Sequence, residues 1–420
     1  MDFNQELILR CLQIEDTDQK ISRLAKFSPV DWGRLLVQAE QHALDPIIAW
    51  QIKSLGLEAL PPEEIRQVFR QSLLISTGNN LVLFNELGKV LRQFKQAGIP
   101  VIVLKGAHLA AIVYEHIGQR SMEDIDLLVH SGHIQESSQI LTKLGYQSKG
   151  ISSDPLDTHF VKHHLPDFSK PDFKPIEIHW TIGNPNSPFR IEPGDVWRDA
   201  QTESIAGIQT LVLAPHDLIV YLCMHSYAHN YEQGLRPFVD LLQVIRHYQG
   251  SVQWDKVKQR AKQWKATRCV FLMFCISNQL FGSPPEAVLN LFLPLELNLQ
   301  WVDSLSNRII SQPPYAPVMK NKPKPKQIPP SLYFIKFLGN LNFIERLSLF
   351  WKRIFLPPQT IAKLYQIEPQ WPGLFFYYLQ RIWDLLRNYG RLSFQTITRR
   401  DSIETFASPE TALAEWIAKE

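Results

Sequence analysis

No stretch of the 420 residues approaches the about 18 uninterrupted apolar positions that a membrane-spanning helix needs. The opening MDFNQELILRCLQIEDTDQK carries acidic side chains and lacks the basic-then-apolar order of a secretory leader, so a cytoplasmic protein is expected. Cysteine is scarce: Cys11, Cys223, Cys269 and Cys275 form no CxxC pair, and the last two sit in the apolar run CVFLMFC. Buried free thiols are therefore the reading, with a metal or disulfide role as the minor alternative. A dominant charge is also missing, with 44 Lys and Arg against 41 Asp and Glu. The balance hides an asymmetry, because Pro313 to Arg400 hold 14 basic and 3 acidic residues, a local +11 that leaves −8 for the rest. The two parts are expected to face different partners.

What is present, 45% hydrophobic and 20% charged residues, is the composition of a folded protein. The length implies about two to four structural units. Residues from about 5 to 96 read as helices, from the three- and four-residue apolar spacing of DWGRLLVQAEQHALDPIIAWQI and NNLVLFNELGKVLRQFKQAG. Gly98 fits a helix C-cap and Pro100 the turn beyond it. VIVL, Val101 to Leu104, is a short β-branched run, followed by Lys105, Gly106 and a helical AHLAAIVYEHIG. DIDLLV reads as a second strand, Ile134 to Leu144 as a helix, and KPIEIHWTI as a strand in which Glu177 and His179 alternate with Ile176 and Ile178. Helical patterning returns from about Pro215 to Phe281.

The expected fold class is thus α+β, a small mixed-sheet core flanked by mostly helical regions. Its expected divisions are a helical region 1–96, a catalytic core 97–205, a helical domain 206–312, a Pro/Lys-rich linker 313–330 and a basic, aromatic-rich helical region 331–420. In the last of these, Phe337, Leu341, Ile344, Leu347 and Trp351 fall on one helical face.

Chemistry concentrates at RSMEDIDLLVH. Side chains two apart on a strand share a face, so Asp124 and Asp126 project together while Ile125, Leu127 and Val129 fill the other side. Two such carboxylates repel unless they share a cation. A hard divalent ion such as Mg²⁺ suits them and keeps positions for substrate phosphates. Upstream, the helix start near Ala107 offers free backbone N–H groups, with Lys105 adding a point charge. Glu177 supplies a third carboxylate if its strand lies beside DIDLLV. Together these are the equipment for in-line phosphoryl or nucleotidyl transfer. A solvated strand end is the plain alternative for the DxD pair. The DxD of sugar transferases is the rival, but there the apolar strand precedes the motif, whereas here it follows.

LKGAHLAAIVYEHIGQRSMEDIDLLV resembles the core signature of a bacterial family of uncharacterised nucleotidyltransferases, within the polymerase-β-like superfamily. The matching positions are Leu104 to Gly106, Tyr114, Arg120, and Asp124 to Val129. DWGRLLVQAEQHALDPII, IEIHWTI, VWRDA, LAPHDLIVYLCMHSYAHN, LRPFVDLL and LPPQTIAKLY follow in the family's order, so the resemblance covers roughly residues 30 to 390. It implies an enzyme that binds an NTP, ATP for example, with Mg²⁺ or Mn²⁺ on Asp124, Asp126 and Glu177. Phosphates would lie near Lys105, Gly106, Ala107 and Arg120, and a nucleoside monophosphate would pass to an acceptor hydroxyl with release of pyrophosphate. The acceptor is left open among a small molecule, a peptide, a protein and a polysaccharide precursor. Glu177 stands where the family more often has Asp. The superfamily's Gly-Ser phosphate loop is absent, and the backbone amides with Lys105 take its place.

Other candidates are weighed against plain packing. His225 and His229 have the spacing of HExxH, but Ser226 occupies the position of the glutamate, which argues against a metalloprotease. The resemblance keeps both histidines, so they are candidate substrate contacts beside helix packing. Arg236 and Asp240 fit an i, i+4 ion pair, with substrate contact as the second reading. His179 shares the Glu177 face and is a candidate contact, whereas His159, His163 and His164 read as a solvated cluster and Trp180 as core. For the basic C-terminal region, packing on the body ranks first, peripheral membrane or partner docking next, and nucleic acid last, since no nucleic-acid motif accompanies the charge. A catalytically idle nucleotide-binding or partner-docking module remains the alternative to an enzyme.

Overall fold

The computed structural model describes residues 7–13, 16–148, 163–184, 187–293, 297–311, 376–380, 383 and 409–420. The chain forms two compact units, Met1–Lys322 and Pro323–Glu420. The linker 313–330 and the apolar face Phe337 to Trp351 lie outside the described residues.

Five helices lead into the sheet: α1 (Leu7–Leu12), α2 (Thr17–Leu24), α3 (Pro29–Gln41), α4 (Asp45–Ser54) and α5 (Glu63–Gln96). Helix α3 starts where Ser28 and Asp31 cap each other reciprocally, satisfying two N–H groups that the first turn leaves over. Helix α5 carries Glu63 and Glu64 in its first turn and Lys95 in its last, as the helix dipole favours. It ends where Gly98 takes a left-handed φ of 70°.

The sheet has seven strands in the order β3-β4-β5-β2-β1-β7-β6. These are β1 (Ile102–Val103), β2 (Ile125–Leu128), β3 (Gln147–Ser148), β4 (Phe168–Ser169), β5 (Ile176–His179), β6 (Gln201–Ile205) and β7 (Ile208–Val212). β2 runs antiparallel to β1 and parallel to β5, and β1 runs parallel to β7, so the sheet is mixed. Helix α6 (Lys105–His108), continued by a wider turn over Leu109–Val113, follows β1, and α7 (Ile134–Lys143) follows β2. On one face of the sheet, Leu87, Val90 and Phe94 of α5 join Val103, Leu127 and Ile178 in a buried cluster. Each such side chain stabilises the fold by about 1.5–3 kcal/mol on burial.

The β6–β7 hairpin lies across the boundary expected between residues 205 and 206, and the sheet continues to Val212. The hairpin turns through Ala206 at φ 51° and Gly207 at φ 73°. At Gly88 of α5 an added Cβ would stand 3.2 Å from Ala206 Cβ and 3.3 Å from its carbonyl oxygen, so the helix rests directly on this turn. Helices α8 (Pro193–Asp199), α9 (Pro215–Ala228), α10 (Arg236–His247), α11 (Trp254–Gln263), α12 (Thr267–Phe281), α13 (Glu286–Asn290) and α14 (Leu299–Ser311) complete the first unit. Their apolar faces bury Leu218, Phe238, Leu241, Trp264 and Phe274. Within the second unit the described segments are helical at 376–380 and over α15 (Pro409–Ala418). Among the described residues no helix is long and apolar enough to cross a membrane.

Candidate active site

Strands β2 and β5 build the site because their register aligns two acidic positions. Asp126 lies opposite Glu177 in the parallel pair, Ile125 opposite Ile176 and Leu127 opposite Ile178. Period-two alternation sends the isoleucines and Leu127 to the core and the acids to the other face. Asp124 stands half-buried just before β2, two residues from Asp126 on that same face.

Asp126 is buried, and its Oδ1 accepts from Lys105 Nζ at 2.7 Å and from His179 Nε2 at 2.8 Å. His179 Nε2 also lies 3.2 Å from Glu177 Oε2. One ligand atom each of Asp126, Glu177 and His179 lies within 4.8 Å of the others. Asp126 Oδ2 is buried without a hydrogen-bond partner among the described residues. Lys105 itself takes a φ of 44°, a conformation rare for a side chain with a Cβ. Beside it, a Cβ on Gly106 would meet Met122 Cγ at 3.3 Å, so the backbone of this loop runs close under Met122. Ala107 belongs to the buried core cluster.

The charges are strongly coupled. Burial pushes Asp126 up, but Lys105 and His179 outweigh it and hold the carboxyl well below the usual range. Burial would likewise lower Lys105, yet Tyr221, Asp126 and Asp124 keep its ammonium above the usual lysine range. His179 is pulled down by burial and raised overall by its bonds to Asp126 and Glu177. Asp124 is pushed to about 6 by burial and by Asp126, against the pull of Lys105.

The other expected site residues divide into two groups. His225 sits on α9, facing the same charges, and burial followed by Lys105 drives its pKa well below the usual value. His229 follows α9 exposed to solvent, its ring 4.5 Å from that of His225. Arg120, Arg236 and Asp240 are instead drawn together beneath the loop that leads to Asp124. Arg120 forks onto Asp240, Nε to Oδ1 at 2.8 Å and Nη2 to Oδ2 at 3.0 Å, and donates from Nη1 to the Ser121 carbonyl at 2.6 Å. Tyr114 adds its hydroxyl to Asp240 Oδ1 at 2.7 Å. Arg236 reaches Ser121 Oγ at 2.7 Å and the Ala43 carbonyl at 3.2 Å. The carboxylate of Asp240 is thus gripped from across the fold by Arg120 and Tyr114.

His163 and His164 depart from the expected solvated cluster. They are half-buried, with ring centres 5.3 Å and 5.1 Å from that of His179, and burial together with His179 lowers His163 to about 3. The cause is the bridge that His164 makes to His179 at the edge of β5. His159 lies outside the described residues. Tyr221 was missed by sequence reasoning, although it stands one helical turn before His225 on α9 and feels Lys105, Asp126 and Asp124.

A family model described as uncharacterised nucleotidyltransferase matches residues 28–282, more than half of the chain. The chain belongs to that family. That membership carries general nucleotidyltransferase-type activity and is consistent with the polymerase-β-like superfamily. No curated protein matches the chain. Among solved structures, a lincosamide antibiotic adenylyltransferase, LnuA, crystallised with lincomycin, is similar at 16% identity over 38% of this chain and 94% of that one, with a TM-score of 0.28.

The residues of this nucleotidyltransferase fit a divalent cation. Asp126 Oδ2 is buried and without a hydrogen-bond partner among the described residues, two further carboxylates crowd the same face, and an imidazole nitrogen completes the nearby donors.

Proposed function

We propose that the protein transfers a nucleoside monophosphate from an NTP, such as ATP, to an acceptor hydroxyl and releases pyrophosphate. The observation that carries this reading is the register of β2 on β5, which sets Asp126 opposite Glu177 with Asp124 two residues before and Lys105 at 2.7 Å. Asp124, Asp126 and Glu177 would hold Mg²⁺ or Mn²⁺. When bound, the cation neutralises charge on the triphosphate and makes the α-phosphorus more electrophilic.

The chain's own groups do the remainder. Lys105, Gly106 and Ala107 receive the phosphates at the strained turn after β1, the lysine supplying the charge that a serine loop would supply by hydrogen bonds. The acceptor oxygen bonds to the α-phosphorus as the bond to the bridging oxygen of pyrophosphate breaks. The hydroxyl proton passes to Glu177, and pyrophosphate leaves with the electron pair. Arg120, forked on Asp240, sets the loop that delivers Asp124. His225 and His229 flank the acceptor side.

The test supplies each α-labelled NTP with Mg²⁺ or Mn²⁺ and cell extract, and follows the label into an acceptor. Asp124→Asn removes one ligand without disturbing the Lys105–Asp126 pair. It should cut transfer by at least about a hundredfold, the equivalent of the several kcal/mol that such a metal contact supplies. Full activity in Asp124→Asn, with the thermal transition unchanged, would refute the ligand assignment.

A further inference from the structure

The site contains one donor that a carboxylate-only metal centre leaves without a purpose. His179 is buried, its backbone carbonyl is bound by Val129 N at 2.9 Å, and its ring is boxed by His163 and His164. Neighbouring backbone bonds, Leu165 N to Ile178 O at 2.9 Å and Trp180 N to His163 O at 3.2 Å, hold this end of β5 in place. A side chain so enclosed is poorly placed to meet an acceptor. Its Nε2 points instead between two acids, at 2.8 Å from Asp126 Oδ1 and 3.2 Å from Glu177 Oε2.

Those two spans are informative. Adjacent ligands of an octahedral ion with bonds of about 2.1 Å stand about 3.0 Å apart. The observed distances bracket that edge, so a cation placed among these atoms would leave the His179 nitrogen nearly where it stands relative to each acid. Asp126 Oδ2, buried and unpartnered among the described residues, offers a further oxygen to the same region. Among the described residues, Asp126, Glu177 and His179 form one of the groups whose ligand atoms all lie within 4.8 Å of one another.

We infer that His179 is a metal ligand, so that the centre formed with Asp126 and Glu177 is a mixed nitrogen and oxygen site that takes Mn²⁺ in preference to Mg²⁺. The inference rests on the proposed nucleotidyl-transfer site and deepens it by naming its metal chemistry. Magnesium is a hard ion that favours oxygen donors, whereas an imidazole suits first-row transition ions better.

The test is spectroscopic and needs no substrate. Mn²⁺ is titrated into the full-length, nucleotide-free protein, and pulsed electron paramagnetic resonance looks for coupling of the ion to an imidazole nitrogen. The expected result is a nitrogen coupling that changes to the ¹⁵N pattern when histidine rings are ¹⁵N-labelled. It should vanish in His179→Gln, with Mn²⁺ affinity falling by at least about tenfold. Bound Mn²⁺ without nitrogen coupling overturns the inference and leaves the carboxylate reading standing. Coupling that survives His179→Gln overturns it too, and binding of Mg²⁺ as tight as that of Mn²⁺ overturns the preference. Absence of any Mn²⁺ binding overturns both this inference and the reading beneath it. Should His179→Gln not fold, His163→Gln, His164→Gln and His225→Gln decide the matter. Coupling retained in all three assigns it to His179, and loss in any one overturns the assignment.

Discussion

Two buried acids in this protein meet opposite fates, and the difference lies in what faces them. Asp126 has a lysine and a histidine donating to one oxygen, so its charge survives burial. Asp217, at the start of α9, is fully buried, with Arg260 Nη1 at 3.1 Å from its Oδ1 and His216 Nε2 at 3.3 Å. Arg260 also pairs with Asp199, so one cation is divided between two acids. Burial therefore wins at Asp217 and raises its carboxyl from 3.8 to about 7, against the pull of Arg260 and with the help of Asp199. The sign follows from proton counting. Between pH 3.8 and about 7 the folded protein holds a proton that the unfolded chain releases. This contribution to stability is complete below the unfolded pKa and is lost as the pH rises through the folded one, by at most roughly 1.4 kcal/mol per pH unit. Asp217→Asn removes the titration. Its urea midpoint relative to wild type should rise steadily between about pH 4 and about pH 7 and level off above. Parallel pH profiles for the two proteins would show that Asp217 is ionised throughout.

At the scale of elements, the short strands gain their order from contacts far away in the chain. The turn after the wide helical segment that follows α6 is tied to α10 through Asp240, which receives Arg120 and Tyr114 from across the fold. Asp240→Ala leaves a buried guanidinium without its counter-charge. A loss of about 3–5 kcal/mol in urea unfolding is expected. Tyr114→Phe, which removes one hydrogen bond from the same carboxylate, should cost only about 1 kcal/mol. Equal and small losses would mean that α10 is held by packing alone. The two sequence readings nearest this point fared differently for physical reasons. DIDLLV and IEIHW were legible as strands because apolar and polar residues alternate with period two, and that same alternation put Glu177 and His179 on one face. The closeness of Asp126, Glu177 and His179 depends on cross-strand register, which no local pattern encodes. The Arg120–Asp240 fork spans 120 residues, whereas the sequence offered Arg236 as a neighbour one helical turn away. The β6–β7 hairpin escaped because β6 is mostly exposed and its turn uses Ala206 at positive φ, where Asn-Gly would have signalled it.

On the scale of the whole molecule, everything that the proposed chemistry uses precedes the end of α10 at His247, inside the unit Met1–Lys322. The family match also ends within it, at residue 282. The helical flanks were legible from apolar periodicity, but the separate unit that begins at Pro323 was signalled only by composition: a stretch dense in proline and lysine, then an excess of basic charge. If the basic end serves docking rather than catalysis, the chain ending at Lys322 should melt in one cooperative transition. It should also bind NTP and Mn²⁺ with the affinity of the full chain. Calorimetric titration of both lengths checks this, and comparison at low and high salt separates two causes of any difference. A loss of NTP affinity that appears only at low salt would mean that the basic region steers the anionic nucleotide from a distance, because such attraction is screened beyond about 10 Å at ordinary ionic strength. A loss that persists at high salt, or a broad unfolding transition, would mean that the residues after Lys322 complete the nucleotide site or its supporting core. Then the division into two compact units would not be a division of labour.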